Sequence, residues 1–350
     1  MSNKGRKPFD LGSFFSSVSL QEKVNFARHL SVTIRSGIPL IEGLKLIQGQ
    51  TGSTKLRIII GGIIDGVSGG QTLAEALEHR RRVFGDFFIS LVKVGETSGN
   101  LADTLLYLSQ ELKKQRDVNH RVRGALIYPL VILVVNVAIT IFLTVFIFPK
   151  ILPIFVSLHI QLPATTRFII TLLTFFSEYG FYALLGLVVF IVGVRLLLMV
   201  KKIHFWSDAF LLRVPFVSRI LIAVTMTNFM RSLAVLLKSS MALIDALEVA
   251  KGTFGNLYYR SLVDDMVVRV KRGEEIGRAL VGHPKLFPSM VVGMIQVGER
   301  TGKLEENLLY LAEYYEGEVD DIVKNLTTTL EPFLLLFMGF LVGFVALSII

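Results

Sequence analysis

The chain has 350 residues, 52% of them hydrophobic and 19% charged, with a formal net charge of +9 and no cysteine. A mean hydropathy of +0.59 excludes a set of soluble domains alone, and the charge falls in two blocks, the profile of a multi-span membrane protein with cytosolic domains. A disulfide framework is excluded, and the cations gather beside the apolar runs, which favours an orientation signal over a nucleic-acid partner.

Residues 1–18 mix Gly, Ser, Lys and Phe and read as a flexible leader, with Phe9, Phe14 and Phe15 leaving open an amphipathic anchor. No apolar signal-peptide core or small-residue cleavage site is present among them, so the N-terminus is expected in the cytoplasm.

From Ser19 the periodicity is helical. Ser19-Leu20-Gln21-Glu22 is a capping-box pattern, and Val24, Leu30 and Ile34 make an apolar stripe that stops at Gly37. Pro39 suits the first turn of a second helix, and a third is predicted from Ser53 to Val67, ended by Gly69-Gly70. Thr72 and Glu75 form a second capping box. Two further helices meet at Gly95-Glu96-Thr97-Ser98-Gly99, and Asn100 with Asp103 is expected to cap a long helix reaching Arg123. No sustained alternation marks a strand, so 19–125 is expected to be a first all-α repeat.

The run 126–148 has no charged residue and at ~1.5 Å per residue covers the ~30 Å hydrocarbon core, so it is predicted to span the membrane. Residues 149–167 follow as an extracytoplasmic loop, then a second span over 168–200 with its core at 181–200, where Arg195 can snorkel. Residues 201–221 read as a cytoplasmic connector, 222–331 as a second helical repeat and 332–350 as a third span. Lys113, Lys114, Arg116, Arg121 and Arg123 precede the first span and Lys201, Lys202 and Arg213 follow the second, against Lys150 and Arg167 between them. That bias places both repeats in the cytoplasm and, with three spans, the C-terminus outside.

The two repeats are copies. Val94-Gly95-Glu96-Thr97-Ser98-Gly99-Asn100-Leu101 returns as Val297-Gly298-Glu299-Arg300-Thr301-Gly302-Lys303-Leu304, an offset of 299 − 96 = 203. The same offset relates Phe26, Arg28 and Leu30 to Phe229, Arg231 and Leu233, Gly70 to Gly273, and Phe84 to Phe287. It also carries Tyr128-Pro129 onto Glu331-Pro332, so each copy contains its own entry into an apolar run. The fold expected is all-α, two homologous cytoplasmic bundles of about six helices each with three transmembrane helices. Ser240 in place of Gly37 and Ala242 in place of Pro39 mark the copies as divergent.

Catalytic motifs are weak. Ser68-Gly69-Gly70-Gln71 resembles part of an ATPase signature, but the nearest phosphate-loop candidate, Gly298 to Leu304, is one residue short and puts Leu304 where a magnesium-binding hydroxyl is needed. Both read as helix-turn glycines. His29, His79, His120, His159, His204 and His283 share no ligand spacing, so neither a metal nor a cofactor is expected. Acidic stretches such as Glu316 to Asp321 read as solvated helix faces. The motif residues Gly95, Glu96 and Gly99, with Gly298, Glu299 and Gly302, have two readings: a carboxylate accepting backbone N–H groups at the start of the following helix, or a partner-docking turn. Asn136, Thr140 and Thr144 recur on one face of the first span, the pattern of a helix–helix contact or, less simply, a conduction path.

The doubled Val-Gly-Glu-x-Ser/Thr-Gly-x-Leu turn, with Tyr128-Pro129 opening the first span and Glu331-Pro332 the third, resembles the type II secretion system F family, which includes the platform proteins of type IV pili. The resemblance covers the chain from about Val24 to Ile350. It implies a non-enzymatic inner-membrane platform that forms homo-oligomers in the bilayer and contacts a cytoplasmic assembly ATPase and other inner-membrane assembly proteins. It further implies passage of pilin or pseudopilin transmembrane helices from the membrane into a fibre. The alternative from another class is a small membrane transporter or channel built from a parallel repeat.

Overall fold

The structure, a computed structural model, describes residues 18–142 and 200–347, with isolated positions between 171 and 197. The leader before Val18, the loop 149–167, much of the second span and Thr144 lie outside the described residues. Every element among the described residues is helical.

In the first copy, α1 (Leu20–Arg35) starts at the expected box: the Ser19 hydroxyl accepts from Glu22 N at 3.2 Å, and the Glu22 carboxylate accepts from Ser19 N at 2.6 Å. Pro39 stands one residue before α2 (Leu40–Gln50), at its N-cap. In α3 (Thr54–Ser68) the Ser53 hydroxyl caps Leu56 N at 3.3 Å, and Gly69 ends the helix. Thr72 and Glu75 close the second box on α4 (Leu73–Glu78). Two helices follow, α5 (Arg81–Phe84) and α6 (Asp86–Thr97), and then the long α7 (Leu101–Phe142), with Pro129 inside it.

After α8 (Lys201–Leu211) the second copy runs through α9 (Pro215–Lys238), α10 (Leu243–Ala250), a 3-10 turn (Lys251–Thr253), α11 (Leu257–Lys271), α12 (Ile276–Leu280), α13 (Ser289–Thr301) and α14 (Leu304–Leu347), the last with Pro332 inside it. The divergent turn keeps its backbone. Ser240 holds φ +62° where Gly37 has φ +80°, the one non-glycine in the left-handed region among the described residues. The chain reverses between two packed helices there, so the turn geometry overrides the cost of a Cβ.

The cores differ in their aromatics while filling the same place. Copy one packs Phe26 on Phe84 at 5.5 Å between ring centroids and Phe84 on Phe88 at 4.9 Å. In copy two the position of Phe88 is Val291, and rings arrive instead where copy one has Thr51 and Leu56: Phe254 lies 4.8 Å from Phe229 and 5.7 Å from Tyr259. The aromatic ring lost at one core position is thus replaced by rings at two others, so each bundle keeps an aromatic cluster beside Phe26 or Phe229. Tyr259 is fully buried, its hydroxyl donates to the Leu286 carbonyl at 3.0 Å, and burial pushes its phenol far above the ordinary range.

The chain divides into two compact units, one of Met1–Asn119 with Ile222–Glu316 and the other of His120–Leu221 with Gly317–Ile350. The bundle helices of both copies thus belong to the first unit, with the copies in contact.

Among the described residues, two helices are long and apolar enough to cross a membrane, Leu101–Asn136 and Val217–Lys238. They are different objects: 6% of the most apolar window of the first is buried, against 61% of the second. The second forms most of α9, whose Phe229, Met230, Leu233 and Leu236 are at most 1% exposed, so its hydropathy is that of a core helix. The expected spans over 168–200 and 332–350 are not among these two. Much of the former lies outside the described residues; the latter falls within α14 up to Leu347, where Phe333, Leu335, Leu336 and Phe340 are exposed.

Candidate functional site

Glu96 sits in the last turn of α6, and its carboxylate accepts from Leu73 N at 2.5 Å and Ala74 N at 2.8 Å. These are the first two residues of α4, whose next amide, Glu75 N, donates to Thr72 Oγ1 at 3.1 Å. Three amides that a helix start leaves without intrahelical partners are thereby satisfied by side chains. In the second copy Glu299 accepts from Ile276 N at 2.6 Å and Gly277 N at 2.9 Å, at the start of α12. The offset of 203 therefore relates both the acceptors and their donors. Here the N-cap residue, Glu275, makes no side-chain capping bond, so Glu299 holds the α12 start without the neighbour that assists Glu96.

The expectation that these carboxylates would fix the following helix needs correction. Each holds a short helix that lies earlier in the chain, and the following helix is met by the neighbouring glycine. A Cβ on Gly95 would stand 2.8 Å from Thr104 Cβ and 3.2 Å from Leu101 Cα; on Gly298 it would stand 2.9 Å from Leu304 Cα. Consecutive residues on a helix point about 100° apart, so glycine and glutamate address different neighbours. Gly99 and Gly302, at φ +70° and +71°, make the reversal between the two helices. With both oxygens of each carboxylate on backbone amides, the glutamates are arranged to position helices rather than to transfer protons or ligate an ion.

The nucleotide-like stretches have the same plain character. Gly69 is the C-cap of α3, and Gly70 turns the chain at φ +93°. The segment Gly298 to Leu304 joins two helices, where a phosphate loop would follow a strand.

A charged site not legible from the motifs lies at the seam between copies. Arg231 of α9 pairs with Glu316 of α14 and faces Glu111 of α7, with Arg231 Nη1 3.7 Å from Glu111 Oε2. The side chains of Arg231 and Glu111 are both 5% exposed. Arg28, its sequence counterpart, is exposed, so identical residues at matching positions serve different ends. The positions matching Glu111 and Glu316 are Tyr314 and Lys113, which removes the acids from the other copy. One signal was available: Arg231 is the sole charge between Arg219 and Lys238 in an otherwise apolar stretch.

In the other unit, Pro129 and Pro332 lie inside α7 and α14. Tyr128 is partly exposed, and Glu331 belongs to the same helical run as Pro332. Asn136 is 5% exposed, whereas Leu130, Val131, Val134 and Val135 around it are exposed. It lines a crevice with Tyr128, Val131, Leu335 and Met338, which brings α7 and α14 together at this level. Thr140 is on α7, and the stripe's third member, Thr144, is not described.

Comparison with known proteins follows the duplication. The family model of type II secretion system protein F matches residues 26–149 and again 229–350, starts that differ by 229 − 26 = 203. The chain is 31% identical to a type IV pilus assembly protein, PilC, of Thermus thermophilus over 326 residues, covering 93% of this chain and 80% of that one. It is 30% identical to the type IV pilus assembly protein TapC of Aeromonas hydrophila, covering 91% and 77% of the two chains. To the type II secretion system protein F of Vibrio cholerae it is 28% identical, covering 96% and 82%.

Proposed function

The chain belongs to the type II secretion system protein F family, and on that premise we propose that it is an inner-membrane platform of a type II secretion or type IV pilus assembly machine. It crosses the membrane three times, over 126–148, 168–200 and 332–350, with the N-terminus and both helical repeats in the cytoplasm and the C-terminus outside. It assembles with further copies of itself and with other inner-membrane components, and it couples a cytoplasmic assembly ATPase to insertion of pilin or pseudopilin helices into a fibre. No reaction is assigned to it; it works as a scaffold.

One observation carries this reading: each family match begins in a cytosolic-type bundle and ends in an apolar run, and in each case a single helix joins the two. α7 is continuous from Leu101 to Phe142 and α14 from Leu304 to Leu347. A helix transmits displacement along its axis because its hydrogen bonds run the same way. In this scheme force applied to a bundle moves a membrane segment, and Pro129 and Pro332, which each delete one backbone bond, are the points where that segment bends. The Gly-Glu-x-x-Gly turns act first as structural clasps, with partner docking as their alternative use.

The test is genetic. Deletion of this protein in its host, with the ATPase and pilins still produced, is expected to abolish fibre or pseudopilus assembly, and restoration of the gene to recover it. Assembly that continues without the protein would refute the platform role.

A further inference from the structure

The copies also meet along α6 and the 3-10 turn, where a Cβ on Gly252 would stand 3.4 Å from the Asp86 carboxylate. An open groove of 830 Å³ lies at this seam, lined from copy one by His79, Arg80, Arg81 and Arg82 and from copy two by Arg260. Arg81 is neutralised by Asp86 and Glu78. Among the described residues, Arg80, Arg82 and Arg260 have no carboxylate within ion-pair distance. The adjoining charges of copy two close on themselves, Lys251 on Asp264 at 3.0 Å and Lys271 on Glu248. Excess positive charge therefore remains in the groove, on side chains whose planar guanidinium groups match carboxylates.

We propose that this groove receives an acidic segment of a partner protein, held between Arg82 of one copy and Arg260 of the other. Gly85 and Gly252 also line the groove, and their missing side chains leave room for an extended chain between the arginines. Glu78 and Asp86, two carboxylates against the single charge of Arg81, leave one net negative charge on its wall, which directs an acidic segment toward Arg82 and Arg260. At the α6 amino end Asp86 in the first turn places a carboxylate beside the helix-start amides, which disfavours a free phosphate there. The inference rests on the platform reading and deepens it by assigning the chemistry of one cytoplasmic partner.

The test uses the full chain in detergent micelles and a fluorescent peptide of about twelve residues, rich in glutamate, read by anisotropy. Binding is expected at about 50 mM salt and is expected to weaken at least tenfold at about 500 mM. Arg82→Glu with Arg260→Glu is expected to weaken it about tenfold or more, Arg82→Gln with Arg260→Gln by less, and Arg28→Glu with Lys45→Glu, the same charge change on exposed sites elsewhere, hardly at all. No peptide binding by the wild-type chain at low salt, or equal binding by the Arg82→Glu/Arg260→Glu variant, overturns the proposal, as does binding of tripolyphosphate without the peptide. The platform role is judged separately by the gene deletion, so either idea can fail while the other stands.

Discussion

Arg231 Nη1 lies 3.7 Å from Glu111 Oε2 across the seam between the two copies, with both side chains almost wholly removed from water. Glu316 pairs with the same arginine from α14, and Lys114 Nζ reaches the other oxygen of Glu111 at 3.5 Å. A buried cation held this way is costly to remove, because Glu111 stays buried at 5% side-chain exposure when its partner goes.

Arg231→Met is therefore expected to lower stability by about 3–5 kcal/mol, and Glu111→Gln by less, because Glu316 still faces the arginine. Arg28→Met, at the matching exposed position, is expected to change stability by no more than about 0.5 kcal/mol. Urea unfolding of the full chain in detergent measures all three; equal effects at Arg28 and Arg231 would contradict the asymmetry.

Glu96→Ala and Glu299→Ala each remove an acceptor from two helix-start amides, and each is expected to cost about 1–3 kcal/mol. Glu299→Ala should cost the more, because Thr72 still caps α4 whereas Glu275 makes no capping bond on α12. Thermal unfolding gives the order. Unchanged unfolding combined with lost assembly in cells would instead assign the turn to partner docking.

Gly298→Ala places a methyl group 2.9 Å from Leu304 Cα, a backbone atom that cannot rotate away. A loss of about 1–3 kcal/mol is expected from this overpacking. Gly317→Ala meets nothing within 4 Å and serves as the control, expected to be neutral or slightly stabilising. Comparison of denaturation midpoints decides the point.

Ser240→Gly removes a Cβ from a backbone at φ +62°. It is expected to stabilise the second bundle by about 0.5–1 kcal/mol, relief of left-handed strain exceeding the added freedom of the unfolded chain. Gly37→Ser should destabilise the first bundle by a similar amount. A destabilised Ser240→Gly variant would mean that the serine side chain holds the turn by contacts of its own.

The parts of this protein that could be read from its sequence are those set by neighbours in the chain. The capping boxes at Ser19 and Thr72 involve residues three apart, the stops at Gly37 and Gly69 are single-residue effects, and the all-helical class follows from periodicity within each segment. The duplication was equally legible, since an ungapped offset of 203 needs no structure to be seen. The apolar stretch 217–238 shows the limit of such readings. By hydropathy alone it passes as a span; the offset of 203 argues against that by matching Phe229 and Leu233 to Phe26 and Leu30, and the burial of 61% of its most apolar window identifies a core helix.

What the sequence by itself determined is two copies of one helical unit, each running into an apolar stretch, and with them the family. Tertiary structure alone decided that Glu96 and Glu299 clasp earlier helices, that Arg231 is buried while Arg28 is not, and that both bundles share one unit. The reason is physical. Helix formation depends on contacts a few residues apart, whereas the partner of a side chain depends on which helices pack together, and two copies in contact with each other cannot present the same faces to the same surroundings.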